Sequence, residues 1–326
     1  MKVTFDRPYA RATDTDRVFD LLRAWRLTTR PDRHPTLYRL RMLLLSRLQV
    51  PEWDARLWAA RDGGLVGCAL LLQGRIDSPR FELAAIVHPH APRPLFADEM
   101  LPWALARGRE IARDRAAPIT MEYEVDDHDA GMEALLARHG FVPLPIQALY
   151  MARSLDTSLP APALPPGFTV RALAGRDEIG DYLALYNEVS TPLSRTQRLA
   201  LMDTPDYSPA LDLVAVDSAG AIAAFCECSI GRHEWERGGA RVGWIDHLGT
   251  HPARRGQGLG QALTLAGLHR LRAAGAGTAV LVTHSANMPA QRLYARLAFE
   301  VIGAGLWFAK DIAPPCTTPI RINKRR

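Results

Sequence analysis

The sequence predicts an α/β chain of the mixed-sheet, α+β kind, with one layered fold present twice in tandem. Three observations predict it. The 326 residues suit two domains of ordinary size. A proline-rich stretch, Leu159–Gly167 (LPAPALPPG), falls almost at the midpoint and holds neither a helix nor a central strand. The segments on either side of it resemble each other weakly at an offset of about 160 residues. The expected layout is residues 1–158 as a degenerate first copy, 159–167 as linker, 168–312 as the working copy and 313–326 as a basic tail.

The paired segments justify the elements in order. Tyr9–Ala12 (YARA) faces Thr169–Ala172 (TVRA), each read as opening a strand and then a helix. Leu57–Leu71 (LWAARDGGLVGCALL) faces Leu213–Glu227 (LVAVDSAGAIAAFCE), each an apolar hairpin around an acidic–glycine turn. Ile86–Pro89 (IVHP) faces Gly249–Pro252 (GTHP), each ending a strand, and Ala134–Phe141 (ALLARHGF) faces Arg292–Phe299 (RLYARLAF), each a helix before a final strand. Helices between strands of mixed order imply layered packing on a sheet.

Composition narrows the function. Hydrophobic residues make up 48% of the chain, enough for each half to bury a core. The net charge of +5 is almost all arginine, with lysine only at Lys2, Lys310 and Lys324. Diffuse arginine suits a phosphate-bearing ligand and not a nucleic acid, for which no recognition motif is present. Cys226-Glu227-Cys228 lacks a second pair, so no zinc site is expected, and Cys68, Cys226, Cys228 and Cys316 read as reduced thiols of a cytoplasmic protein. The apolar patch Met42–Leu45 is too short for a membrane span. High Arg and Ala suggest a bacterial, GC-rich source.

Chemistry concentrates in Gly243–Gly260 (GWIDHLGTHPARRGQGLG). A strand through Trp244–Thr250 runs into Arg255-Gly256-Gln257-Gly258-Leu259-Gly260, and a helix follows with Leu259, Leu263 and Ala266 on one face. A glycine-rich turn at a helix N-terminus presents free N–H groups and partial positive charge. With Arg254 and Arg255 beside it, a pyrophosphate is the expected guest. The sequence is neither a P-loop, since Gln261 and Ala262 follow Gly260, nor a G-x-G-x-x-G dinucleotide turn. A second segment, Asn287–Phe299 (NMPAQRLYARLAF), opens with an N-cap and a first-turn proline and carries Tyr294 two turns in.

These two segments resemble the motifs of the GNAT acyltransferase family. Arg255–Gly260 is similar to its Q/R-x-x-G-x-G/A pyrophosphate loop. Asn287–Phe299 is similar to its N-x-x-A-x-x-L-Y-x-x-x-G-F helix, with Ala298 in place of the glycine. The two-copy layout, weak first and intact second, is similar to that of tandem members such as mycothiol synthase, which acetylates a cysteinyl amino-sugar. The resemblance implies acetyl-CoA, or another acyl-CoA, as co-substrate and no metal. It implies that Trp244–Thr250 and Ala279–Thr283 splay apart to admit the pantetheine. Leu248, Gly249 and Thr250 would face the thioester, Arg254, Arg255, Gly256, Gln257, Gly258, Leu259 and Gly260 the pyrophosphate, and Asn287 the pantetheine or phosphates. Tyr294 would protonate the departing thiolate, being an acid near the thiol's own pKa.

The expected reaction is direct attack by a primary amine of a small molecule, which needs a base. Asp246, read on the same face as Trp244 and Leu248, and Glu227, expected half-buried with a raised pKa, rank equal, with His247 third. Asp203, Asp206 and Tyr207 within Tyr186–Tyr207 are the expected grip on a cationic acceptor. In the first half the loop His90–Met100 lacks glycine and carries Pro92 and Pro94, while Leu136 and Asp129 stand where the second half has Tyr294 and Asn287. That half is expected to lack acyl-CoA chemistry and to buttress the other or wall its acceptor site. The remaining alternatives are a non-catalytic acyl-CoA-binding or regulatory module and a protein or peptide acetyltransferase. Monomer and homodimer are both open; no nucleic-acid or membrane partner is expected.

Overall fold

The computed structural model describes residues 3–26, 54–73, 78–92, 94–204, 207–231 and 241–314. Met42–Leu45, Asp206, Cys316 and the tail beyond residue 314 lie outside the described residues.

Each half repeats one strand order, with two early helices in the second half where the described residues of the first carry one. The first half runs β1 (Val3–Pro8), α1 (Arg11–Arg26), β2 (Ala55–Ala60), β3 (Leu65–Gln73), β4 (Arg80–Val87), α2 (Leu101–Arg115), β5 (Ile119–Asp126), α3 (Ala130–Arg138) and β6 (Val142–Ser154). The second runs β7 (Phe168–Ala172), α4 (Ile179–Val189), α5 (Arg195–Met202), β8 (Asp212–Asp217), β9 (Ile222–Ile230), β10 (Val242–Thr250), α6 (Leu259–Ala273), β11 (Thr278–His284), α7 (Met288–Arg296) and β12 (Glu300–Ile312).

Local chemistry explains the repeats. Both hairpins turn on a glycine in the left-handed region, Gly63 (φ 84°) and Gly220 (φ 86°). At the second, the Asp217 carboxylate accepts the Ala219 and Ala221 N–H groups at 3.0 Å each. Helices α3 and α7 share an N-cap design: Asp129 accepts from Met132 N at 2.9 Å and Asn287 from Ala290 N at 3.3 Å.

The opening repeat is offset by four residues from the sequence reading. Arg7 clamps Asp14, which also accepts Ala10 N at 2.9 Å. Arg171 clamps Glu178, which accepts Ala174 N at 2.8 Å. Arg171 therefore corresponds to Arg7, on β1, and not to Arg11, which begins α1. The arginine–carboxylate clamp fixes this register, and the YARA–TVRA likeness does not.

The described strands form one twelve-stranded sheet in the order β1-β2-β3-β4-β5-β12-β6-β11-β10-β9-β8-β7. The two halves exchange their last strands. β12 lies between β5 and β6, and β6 lies between β12 and β11. The cores are shared accordingly: Phe308 and Ile312 complete the first-half core, while Met151, Leu155 and Leu159 pack into the second-half core. The Pro-rich stretch carries no regular structure. Arg153, 7% exposed, ties the region down by donating to Leu297 O at 2.5 Å and Ser158 O at 2.9 Å.

Among the described residues only two strand pairs are parallel, β4 with β5 and β10 with β11. β10 and β11 pair through Val242–Ile245 and Thr278–Leu281 and then part, although both continue. This wedge is the opening expected between them. β9 stays paired along β10 to Thr250, but a bulge intervenes between Ile245 and His247.

Candidate active site

One wall of the wedge is the phosphate-type turn. Gly256 (φ 78°) and Gly258 (φ 90°) both lie in the left-handed region, and a Cβ on either would meet no atom within 4 Å. The turn thus faces open space. Among the described residues no acceptor takes the backbone N–H of Gly256, Gln257, Gly258, Leu259 or Gly260. Free N–H groups at the start of the 15-residue helix α6 make a cradle suited to an anionic pyrophosphate. Thr264 tightens the first turn by donating to Gly260 O at 2.7 Å. Arg255 Nε donates to Thr250 O at 3.3 Å, and Arg254 stands 3.5 Å from Asp217, so the structure brings both beside the cradle.

The cradle meets α7 and the end of β10. A Cβ on Gly260 would lie 3.6 Å from Leu293, 3.8 Å from the Thr250 hydroxyl and 3.9 Å from Leu248. Gly249 is glycine for a packing reason: a Cβ there would fall 2.3 Å from the Phe225 ring. Asn287 Oδ1 is engaged in capping α7, while Gln291 fastens that helix to His284 O and Ser285 O at 3.1 and 2.8 Å.

Tyr294, 7% exposed, sits on the α6 and α7 face with Cys226, Leu248 and Leu293, its ring 5.8 Å from Phe299. No described group hydrogen-bonds its hydroxyl. Burial, with the Cys226 thiol second, pushes its pKa well above the ordinary tyrosine value. It is a weaker acid than the match to a thiol expected from sequence.

The opposite face carries the carboxylates. Asp246 occupies the bulge, which reverses the alternation around it. Leu248 consequently packs on the α6 face, whereas Trp244 lies in the Tyr150–Val280 cluster on the other. The sequence reading had placed the two on one face; one inserted residue in the strand undoes that. Glu227 pairs with His247 across β9 and β10 and is 3% exposed. Its Oε1 accepts from Arg198 and from the Tyr182 hydroxyl, both at 2.5 Å, and its Oε2 lies 2.9 Å from His247 Nδ1.

Glu227 was expected half-buried with a raised pKa, and the structure reverses the sign. Burial alone would raise it, but the Arg198 guanidinium and the His247 and Tyr182 hydrogen bonds hold it down at about 2. Asp212 takes the weaker share. It accepts from Arg198 and from the Tyr207 hydroxyl at 2.7 Å, and burial pushes it up to about 6.

Arg198, Tyr182 and Asp212 were missed by sequence reasoning. Arg198 is fully buried on α5, its guanidinium 4.5 Å from the Tyr182 ring centre. The available signal was an arginine three residues before Leu201 on the apolar stripe of a capped helix. Of the expected acceptor grip, Asp203 pairs with Arg176 and Tyr207 with Asp212.

The first half shows the contrast. β4 and β5 also pair only briefly, Arg80–Glu82 with Thr120–Glu122. The turn after β4, however, uses its N–H groups internally: Ala91 N donates to His88 O and Leu95 N to Pro92 O, at 2.8 and 3.1 Å. Phe96 packs on Tyr123 with ring centres 5.1 Å apart, and Leu136, fully buried, occupies the place of Tyr294. Asp126, Asp127 and His128 lie within ligand distance of one another at the end of β5, but Asp126 and Asp127 already accept His128 N and Ala304 N. No described helix is long and apolar enough to cross a membrane.

Comparison with known proteins agrees with this geometry. The model of the acetyltransferase (GNAT) family matches residues 180–299. A protein of Actinosynnema mirum named mycothiol acetyltransferase is 32% identical over 267 residues, covering 78% of this chain and 84% of its own. One of the same name from Pseudarthrobacter chlorophenolicus is 29% identical over 265 residues, covering 79% and 77%. Among solved structures, a tandem GNAT protein from the clavulanic acid biosynthesis pathway superposes with a TM-score of 0.65 at 20% identity, over 95% of this chain and 99% of that one. The chain belongs to the GNAT acetyltransferase family and is an acetyl-CoA-dependent N-acetyltransferase.

Proposed function

We propose that the protein moves the acetyl group of acetyl-CoA to a primary amine of a small molecule by direct attack. The observation that carries this reading is the β10–β11 wedge with a different chemistry on each side. The unengaged N–H cradle and Tyr294 lie on the α6 and α7 side, and the Glu227–His247 pair lies on the other.

The pyrophosphate would rest on Gly256–Gly260 with Arg254 and Arg255 alongside. Leu248, Gly249 and Thr250 lie past the last β10–β11 pair, on the strand edge that would meet the pantetheine and steady the oxyanion. Tyr294 keeps its proton and offers a hydrogen bond to the departing thiolate. Relatives named mycothiol acetyltransferase make a cysteinyl amino-sugar the first acceptor to try.

The test is chromatographic measurement of free CoA and N-acetylated product with that sugar, with polyamines and with a peptide N-terminus. Transfer to a small amine supports the reading. Transfer only to the peptide refutes the small-molecule assignment.

A further inference from the structure

We propose that His247 is the base that takes the proton from the attacking amine, with Glu227 as the residue that positions it and Arg198 as the charge that keeps Glu227 ionised. The inference rests on the acetyl-transfer reading and adds to it the path of the proton.

Reach decides among the acidic groups. Both Glu227 oxygens are engaged, Oε1 by Arg198 and Tyr182 and Oε2 by His247, and the side chain is 4% exposed. An amine cannot approach it. Both carboxylate oxygens of Asp246 lie beneath the surface at the bulge. His247 is 22% exposed and lies two residues past Ile245, the last β10 residue paired with β11. It is therefore at the mouth of the wedge, in front of Glu227.

The pair also sets the tautomer. A carboxylate 2.9 Å from Nδ1 favours the ring proton on that nitrogen, which would leave the lone pair on Nε2 for the amine. No described group hydrogen-bonds Nε2. The Tyr186 ring, 5.7 Å away and edge-on, limits how the imidazole turns. The groups facing His247 are Glu227 from β9 and Tyr186 from α4. Arg198, Tyr182 and Asp212 stand behind Glu227, Asp246 is the chain neighbour, and Val280 and Val282 on β11 carry no charge.

The bulge gives this arrangement its function. It turns His247 to the α4 face while Leu248 goes to the face of Tyr294. Base and thiolate partner thus stand on opposite sides of the wedge. As the N–C bond forms, Nε2 accepts one amine proton. The C–S bond breaks with its electron pair passing to sulfur, which Tyr294 hydrogen-bonds. His247 then gives its proton to solvent, and solvent protonates the thiolate, so the sum is amide plus CoA thiol.

The experiment measures kcat, KM and acetyl-CoA binding across pH for wild type, His247→Gln, His247→Ala and Glu227→Gln, with the cysteinyl amino-sugar as acceptor. His247→Gln is expected to bind acetyl-CoA as wild type does, to lose about 10²-fold in kcat, and to lose the acid limb of the profile. Imidazole added to solution should restore part of the rate to His247→Ala and none to His247→Gln. Glu227→Gln should fall between, with its acid limb shifted. A His247→Gln variant that keeps the wild-type rate and acid limb overturns the assignment while leaving acetyl transfer intact. Wild-type protein that binds acetyl-CoA yet acetylates no amine overturns the transfer reading itself, and His247 with it.

Discussion

Arg198 sets the electrostatics of the site from full burial. One guanidinium faces two carboxylates, Glu227 and Asp212, each 4% exposed. Removing the cation strands two buried negative charges, so Arg198→Met should cost about 3–5 kcal/mol in denaturant unfolding. A loss below about 1 kcal/mol would mean that the carboxylates reach other partners. The same trio predicts opposed pH effects. Asp212 is raised from 3.8 to about 6, so between those values the folded protein holds a proton that the unfolded chain lacks, and stability rises as pH falls through that window. Glu227 is lowered from 4.5 to about 2, so its contribution is lost as pH falls further, from 4.5 towards 2. Asp212→Asn should flatten the upper window and leave the lower one, as followed by unfolding at a series of pH values. The sequence reveals Glu227 as a candidate but hides its sign, because the sign depends on an arginine contributed from a separate helix.

Single residues redirect whole elements. The extra residue at Asp246 turns β10 so that His247, and not Leu248, faces the α4 layer, and no periodicity in the sequence announces it. The glycine turn was legible because its needs are local: Gly258 lies at φ 90° and caps α6. Gly258→Ala has room for its methyl group but must hold a left-handed backbone, costing about 1–2 kcal/mol. It should weaken acetyl-CoA binding more than it lowers the melting temperature. Gly249→Ala should do the reverse, because its Cβ meets the Phe225 ring at 2.3 Å, an overpacking of about 1–3 kcal/mol. Calorimetry and thermal melting of the two variants, side by side, check the distinction; equal effects on binding and melting would contradict it.

The whole molecule is two copies of one fold, but not two separable bodies. The hairpins, caps and Pro-rich break were readable from sequence because each is a short-range signal. The exchange of β6 and β12 was not, since it depends on pairings between strands more than a hundred residues apart, such as Glu300 with Ala152. The exchange has a consequence for function. β6 of the first half flanks β11, the second strand of the wedge, so the first half braces the second directly. A chain cut within the linker should yield two fragments that are insoluble or unfolded alone and that fold when expressed together. Circular dichroism of each fragment checks this, and a second half that folds and binds acetyl-CoA alone would contradict it.

The central claim is that the β10–β11 wedge and its glycine turn bind acetyl-CoA and that Tyr294 acts only after binding. Calorimetric titration of acetyl-CoA into wild type, Gly258→Pro and Tyr294→Phe tests it most directly. The account predicts binding by wild type, equal binding by Tyr294→Phe, and none by folded Gly258→Pro, whose proline can neither adopt φ 90° nor donate an N–H. Wild-type affinity retained in Gly258→Pro would place the ligand elsewhere and contradict the account.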